Sequence, residues 1–497
     1  MTSKNGGSTG TSTLLEEKEI EYSIQDVEQH NTVHDFWTVV DGVVYDLTGM
    51  HHPGGSIIMG AAGADCSVLF HTYHLMGPEK AQAVLQRRKI GVLKGGARIE
   101  MGDFYRACAK QVRETLKDKP RRPAAAKFLF FLDMAIKMSL VVAAFFLNPA
   151  TTPLWLLIVI HLAIPQMNFM RVGGQCHANG HMQLFKSDKS TSWAEFLGLC
   201  MGGLPSWALP NPSKNQYKKI NKPLSVSRDE YKYGHIGRLG EHAIIHHTQG
   251  GEIQHDTDFL TISFMKLLRL SEAQPFRLWH SIQANFWVRV LYDTLGEVVE
   301  STLIATSCFR LVYIVRRLLP QGEYRRALGL VCAILTSIPA SWCYLAFPCS
   351  SHPHAINIFL AIAVCKEYFG FLGSHAFFAQ HKWNYFATES MINKDWGRHN
   401  AQSCSSWWPQ GMDLVMLPVL WGNPKGCTPA TLSFHLEHTL FPGVCYLYYP
   451  EIAPVVRQVC QEYGVQYNGL YSMADVVKAR LDMLEHYSTV APKTKTP

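Results

Sequence analysis

Gly42-Val43-Val44-Tyr45-Asp46-Leu47-Thr48-Gly49-Met50-His51-His52-Pro53-Gly54-Gly55 is the stretch on which the N-terminal part of the chain turns. An apolar run passes through a Thr48-Gly49 turn signal into a histidine set directly before Pro53-Gly54-Gly55. With a further signal at Asp41-Gly42, the segment from about Glu19 to Lys94 mixes polar and apolar residues between frequent turns, the pattern of a small α+β domain. Far downstream, histidines recur at His177/His181, His242/His246/His247 and His435/His438. One chain therefore carries two kinds of candidate metal site.

Composition limits what those sites serve. The 497 residues leave room for more than one domain, and 47% hydrophobic against 17% charged residues points to a membrane component. The 13 cysteines form no regular framework and follow no secretory signal, so they read as reduced thiols facing a cytosolic compartment. Residues 1–18 are polar and rich in Ser, Thr and Gly, a disordered tail by composition. The net charge of +7 includes the cluster Lys117-Asp118-Lys119-Pro120-Arg121-Arg122, which reads either as attracted to anionic lipid heads or as a solvated linker.

Hydropathy divides the rest. After residues 19–97 comes a charged connector, 98–127, then a long apolar region, 128–470, and a C-terminal tail, 471–497. Phe128–Leu147 and Leu154–Met170 are each near the ~20 residues that a helix needs to cross a bilayer. Leu328–Phe347 and Ala355–Leu372 form a second such pair. Four spans with short turns place every large polar segment, histidine clusters included, on one side. Trp193–Leu209, and with it Ser301–Leu319, suits a helix lying in the interface.

The histidine spacings carry the chemistry. His177 and His181 stand at i, i+4, as do His242 and His246 with His247 beside them, and His435 and His438 stand at i, i+3. Each spacing puts rings on one helix face, where they can point at one metal. Seven imidazoles exceed what one zinc needs, whereas two irons with open positions would use most of them. A histidine-rich set also separates this site from soluble di-iron bundles, where carboxylates dominate. His161, His280, His352 and His354 read as structural side chains. His255, before Asp256-Thr257-Asp258, reads equally as part of a ligand-orienting cluster or of a solvated turn.

Residues 21–93 resemble cytochrome b5 in Tyr22–Val27, Trp37, Gly42–Thr48, the His52-Pro53-Gly54-Gly55 turn and Ala62-Gly63-Ala64-Asp65 before Phe70. The resemblance implies haem b held by two histidines. His52 is the first, and the second follows Phe70, where the family's spacing favours His74 over His71. Gly54 and Gly55 would let backbone approach the porphyrin. Iron closed on both faces suits electron transfer rather than oxygen chemistry.

From about Pro123 to Tyr467 the chain resembles the membrane-bound fatty acid desaturases, most closely the front-end acyl desaturases fused to cytochrome b5. The similarity is strongest at His177–His181, at Phe434–Pro442 and at Pro450–Pro454. It implies an all-α integral membrane domain with about four transmembrane helices and a cytosolic histidine-rich cap, holding two non-haem iron ions. His177, His181, His246, His247 and His438 fall on the family's boxes, and His381, ahead of His375, on its additional ligand. Three positions depart from the pattern: His242 precedes its pair by four residues rather than three, His435 replaces a glutamine, and Thr439 stands where the last histidine belongs. His242 and His435 remain compatible with ligation, while Thr439 either leaves one iron short of a ligand or leaves its place to His399 or His375. The implied activity is oxygen-dependent desaturation of a lipid-linked or CoA-linked acyl chain at the endoplasmic reticulum membrane. NADH-cytochrome b5 reductase would be the electron donor, with molecular oxygen and membrane lipid as further partners and no nucleic acid. The same scaffold can instead yield an alcohol. A non-catalytic, membrane-anchored haem carrier is the reading that Thr439 favours.

Overall fold

The N-terminal sheet is organised around one tight turn. Asp41 and Gly42, with φ of 50° and 76°, join β3 (Asp35–Val40) to β4 (Val43–Asp46) in the left-handed conformation that matches the twist of an antiparallel pair. The computed structural model describes residues 19–148, 151–166, 171–201, 242, 246–250, 269, 276–285, 287–288, 311, 314–322, 324–325, 327–335, 356, 389–407 and 432–489. Strand order is β1 (Glu21–Tyr22), β6 (Lys89–Leu93), β4, β3 and β2 (Asn31–Thr32), with β5 (Ala64–Asp65) alongside β3. The β1–β6 and β3–β5 pairs are parallel.

Alternation along β3 and β4 splits the domain's core between two clusters. Val27, Val39, Val44 and Leu93 fill one, and Phe36, Val40, Tyr45, Leu47, Met59, Phe70 and Leu85 fill the other. Helix α1 (Ile24–Gln29) starts on a reciprocal cap between Ser23 and Asp26. Helices α2 (Ser67–Tyr73) and α3 (Pro78–Gln86) follow the turn that carries His52.

The helical part begins inside the connector. Helix α4 (Gly102–Thr115) buries Phe104, Tyr105, Cys108 and Val112 at i, i+1, i+4 and i+8, a stripe for a packed helix. It lies against α10 (Trp396–Ser403) and α12 (Tyr449–Glu462). Of the basic cluster behind it, Lys117 and Lys119 stay exposed while the two arginines turn inward. Arg121 donates to the Tyr73 carbonyl at 2.6 Å and Arg122 to the Met182 carbonyl at 2.9 Å.

Helix α5 (Ala124–Phe146, 23 residues) pairs with α6 (Leu154–Gln166). Phe128, Phe131, Met138, Val142 and Phe146 line the outer face of α5, and Trp155 and Val159 are exposed on α6. The charges that interrupt α5 face the other way: Asp133 is paired with Arg171 at 2.9 Å, and the Lys137 ammonium donates to the Met201 carbonyl at 2.8 Å. Among the described residues no helix is long and apolar enough to cross a membrane, so the expected four spans are not seen as such. Leu328–Phe347 and Ala355–Leu372 lie mostly outside the described residues, as do the segment 202–241 and His255, His352, His354, His375 and His381.

Helices α7 (Gly174–Gly180) and α8 (Asp188–Cys200) pack together. Helix α9 (Glu389–Lys394) leads into α10, and α11 (His435–Leu440) sits between α10 and α12. Ser406-Trp407 pairs in parallel with Gly469-Leu470. Beside that pair, the Asn468 amide reaches the Ala401 and Cys404 carbonyls at 3.1 and 3.0 Å. Helix α13 (Met473–Thr489) closes the described chain. The described cysteines are free thiols.

Candidate haem cleft and metal centre

The structure places His52 opposite His74, with ring centroids 5.9 Å apart. Two imidazoles bound through nitrogen at about 2.0 Å to one metal have centroids roughly 6 Å apart, so the cleft fits an iron ligated on both faces. His74 caps α2, and its Nδ1–H donates to the Phe70 carbonyl at 3.0 Å, which leaves Nε2 for the cleft. His52 Nδ1 accepts the Gly54 N–H at 3.1 Å. Burial, with the nearby Arg121 and His71 charges adding to it and the Phe70 bond opposing it, holds the His74 imidazole below the ordinary histidine value. His71, the competing candidate, is turned to the surface, where Nε2 lies 2.9 Å from an Asp41 carboxylate oxygen.

The distant histidine clusters converge in space. One ligand atom each from His177, His181, His242, His247 and His438 falls within 4.8 Å of all the others. His177 Nε2 is 3.0 Å from His242 Nε2 and 3.3 Å from His181 Nε2. The His438 ring is centred 4.7 Å from those of His177, His181 and His247. Helix α7 delivers the first pair one turn apart, and its end is tightly set. Met182 takes φ 57°, and the N–H groups of Met182 and Gln183 return to the Asn179 and Ala178 carbonyls at 2.9 and 3.1 Å. That closure usually has glycine at the left-handed position. A side chain there costs ~1–2 kcal/mol, strain held next to His181.

This donor set suits a cation. Both ring nitrogens of His247 and Nε2 of His438 are buried without a hydrogen-bond partner among the described residues. A buried polar atom left so costs about 1–3 kcal/mol, a deficit that a metal ion would remove. Burial, reinforced by the surrounding imidazoles, drives the pKa of His247 and of His438 well below the ordinary value. Both are therefore neutral, the state in which imidazole ligates.

The remaining candidates sit at the margin of this group or outside it. His246 stacks on His242 at 4.9 Å, and His435 lies 6.2 Å from His438 on α11. Nε2 of His399 is 2.7 Å from the Gly250 carbonyl oxygen, and the ring is not one of the five. His280 is buried away from them and accepts the Arg277 N–H at 2.9 Å. Thr439 is buried, but its hydroxyl donates to the His435 carbonyl at 2.8 Å and meets Cys404 Sγ at 3.4 Å. Thr439→Ala is accordingly expected to leave metal content unchanged and to cost ~1 kcal/mol of stability, read by metal analysis and thermal unfolding. Loss of metal in that variant would make the hydroxyl a ligand.

Several supporting residues carry no local sequence signal. The Tyr449 hydroxyl lies 3.2 Å from His438 Nδ1, and the Gln183 amide donates to that hydroxyl at 3.2 Å and to the Pro442 carbonyl at 2.8 Å. Tyr73 of α2 places its hydroxyl 2.7 Å from His181 Nδ1. Glu437, between His435 and His438, is buried with the Tyr467 hydroxyl donating to it at 3.0 Å, and burial pushes its carboxyl up to about 7. Only the fold brings the Tyr449 and Tyr73 hydroxyls to the rings.

Comparison with known proteins agrees with this division. Residues 23–94 match the family described as cytochrome b5-like haem/steroid binding domain, and residues 239–471 match the fatty acid desaturase family. An acyl-lipid (8-3)-desaturase of Physcomitrium patens is 24% identical over 90% of this chain and 87% of its own length. Delta(5) fatty acid desaturase A of Dictyostelium discoideum is 23% identical over 93% of each chain. A Delta(8)-fatty-acid desaturase of Borago officinalis is 23% identical over 90% of each. The two-ring cleft lies in the first matched span, and His242, His247 and His438 in the second: the chain carries a cytochrome b5-like domain fused to a fatty acid desaturase domain.

Proposed function

We propose that this protein is a membrane-bound acyl-lipid desaturase that draws electrons through its own haem domain. The observation that carries the reading is the group of five converging imidazoles, with buried unpartnered nitrogens on His247 and His438, in one chain with the His52–His74 cleft. The similar full-length proteins named above are desaturases. Haem b in the cleft would be held by His52 and His74. Donors on opposite sides of one ion stand about 4.2 Å apart, so the five-ring group is about the size of one donor shell. A second iron would draw on His246 and His435 at its margin and on His381.

Iron held there would supply, with dioxygen as the oxidant, the means to break an unactivated C–H bond, which side-chain acids and bases do not provide. Overall, two hydrogens leave adjacent acyl carbons while two electrons and two protons are taken up, and dioxygen ends as two waters. The chain's own residues prepare this chemistry. Burial keeps His247 and His438 neutral, and Tyr449 orients His438. Leu436, Leu440 and Phe441 exclude water around α11. The outer apolar face of α5 suits contact with lipid. The proposal includes the endoplasmic reticulum as the membrane, a cytosolic haem domain, NADH-cytochrome b5 reductase as the donor, and a lipid-linked or CoA-linked acyl substrate.

The test is expression in a yeast poor in desaturases, followed by fatty-acid profiling with and without His177→Ala. A new unsaturated product that disappears in the variant is expected. An unchanged profile with a range of acyl chains supplied would overturn desaturation, and a hydroxylated product would redirect the reading to alcohol formation.

A further inference from the structure

The residue next to the haem ligand touches the metal cluster. Tyr73 directly precedes His74 at the end of α2, and its hydroxyl lies 2.7 Å from His181 Nδ1, across 108 positions of sequence. The contact is built from both sides. Arg121 donates to the Tyr73 carbonyl at 2.6 Å, while its neighbour Arg122 donates to the Met182 carbonyl at 2.9 Å, one residue beyond His181. Arg113 of α4 caps the Leu75 carbonyl at 3.2 Å. Val68 and Leu75, flanking the site, belong to the same hydrophobic core as α4, α11 and α12. Gly443 supplies the close approach, since a Cβ there would come within 3.1 Å of Tyr73 Cα and 3.2 Å of the Thr72 carbonyl oxygen.

From this juxtaposition we propose that Tyr73 is a positioning residue that docks the haem-bearing helix on the histidine cluster and fixes the orientation and tautomer of His181. The inference rests on the metal reading of that cluster. His181 Nε2 faces His177 Nε2 at 3.3 Å, so Nε2 is the nitrogen turned to the metal position. A metal on Nε2 leaves the ring proton on Nδ1, and Tyr73 Oη is then its acceptor. Such partners of ligand histidines typically change metal affinity 10- to 100-fold when removed. Here the partner comes from the haem domain, so docking of that domain and completion of the metal site become one event.

Tyr73→Phe keeps the ring and its packing and removes only the oxygen, which separates positioning from bulk. Full-length wild-type and variant proteins, loaded with haem and with iron(II), are dialysed against graded chelator, and non-haem iron is measured while the haem Soret band reports the cleft. The variant is expected to release non-haem iron at roughly tenfold lower chelator with its haem spectrum intact. Iron retention equal to wild type would overturn the role of Tyr73. Joint loss of haem and iron would also overturn it, since the haem domain itself would then depend on the hydroxyl. A wild-type protein that holds no iron beyond its haem would instead remove the metal reading on which the inference stands.

Discussion

His438→Ala is expected to lower desaturation by at least ~100-fold and to deplete non-haem iron, while the haem spectrum stays as in wild type. His438 is the natural target because its ring stands 4.7 Å from three others, contributed by α7 and by the segment at His247. It joins parts of the chain that no short loop connects. Its Nε2 is buried without a hydrogen-bond partner among the described residues, so removing the ring takes away a nitrogen that a bound cation would use. The Tyr449 hydroxyl, 3.2 Å from Nδ1, would at the same time lose one of its partners while keeping the Gln183 amide and the Phe441 carbonyl. His280→Ala is the matched control, since that ring is equally buried but packs against Phe276 and Trp279, away from the five. It should cost stability and leave iron content alone. A His438→Ala protein with full iron and full activity would exclude the histidine group from the chemistry.

How much of this was readable in the chain depends on the distance over which each interaction acts. The Asp41-Gly42 turn and the strand after it follow from local chemistry, because a two-residue link between antiparallel strands requires positive φ. The i, i+4 spacing of His177 and His181 translates directly into two rings 4.7 Å apart. Spacing after Phe70 favours His74 over His71 through the family resemblance, and the fold adds the physical reason, since the packing of β3 against α2 brings Asp41 to His71. Thr439 is similar. In sequence it occupies a ligand's place, but on α11 its hydroxyl is used by the His435 carbonyl one turn back. Asp133 and Lys137 interrupt the apolar run of α5, and their partners, Arg171 and the Met201 carbonyl, lie 38 and 64 positions away. Arg121 and Arg122 read as surface charge because nothing near them in sequence shows that two helix ends arrive with unsatisfied carbonyls. Tyr73 and Gln183 are legible only from the assembled domains.

The second large effect separates His74 from His71. His74→Ala is expected to abolish the haem absorption of the full-length protein and to bring desaturation to background, whereas His71→Ala should leave both unchanged. The His52–His74 centroid distance of 5.9 Å leaves room for one iron between the rings. His71 instead meets Asp41 at the surface, an exposed pair worth about 0–1 kcal/mol. A pH titration of the haem-free protein gives an independent reading of the same site. Burial depresses the folded-state pKa of His74 below its ordinary 6.5, so the unfolded chain binds this proton more readily. Its contribution to stability is therefore present above about pH 6.5 and is lost as pH falls through the lower folded-state value. In haem-free His74→Ala that part of the acid destabilisation should be absent, measured by denaturant unfolding at several pH values. With haem present, protonation competes with iron for Nε2, and acid should release the haem from wild type. Retention of haem by His74→Ala together with its loss from His71→Ala would move the second axial ligand to the surface position and overturn the cleft described above.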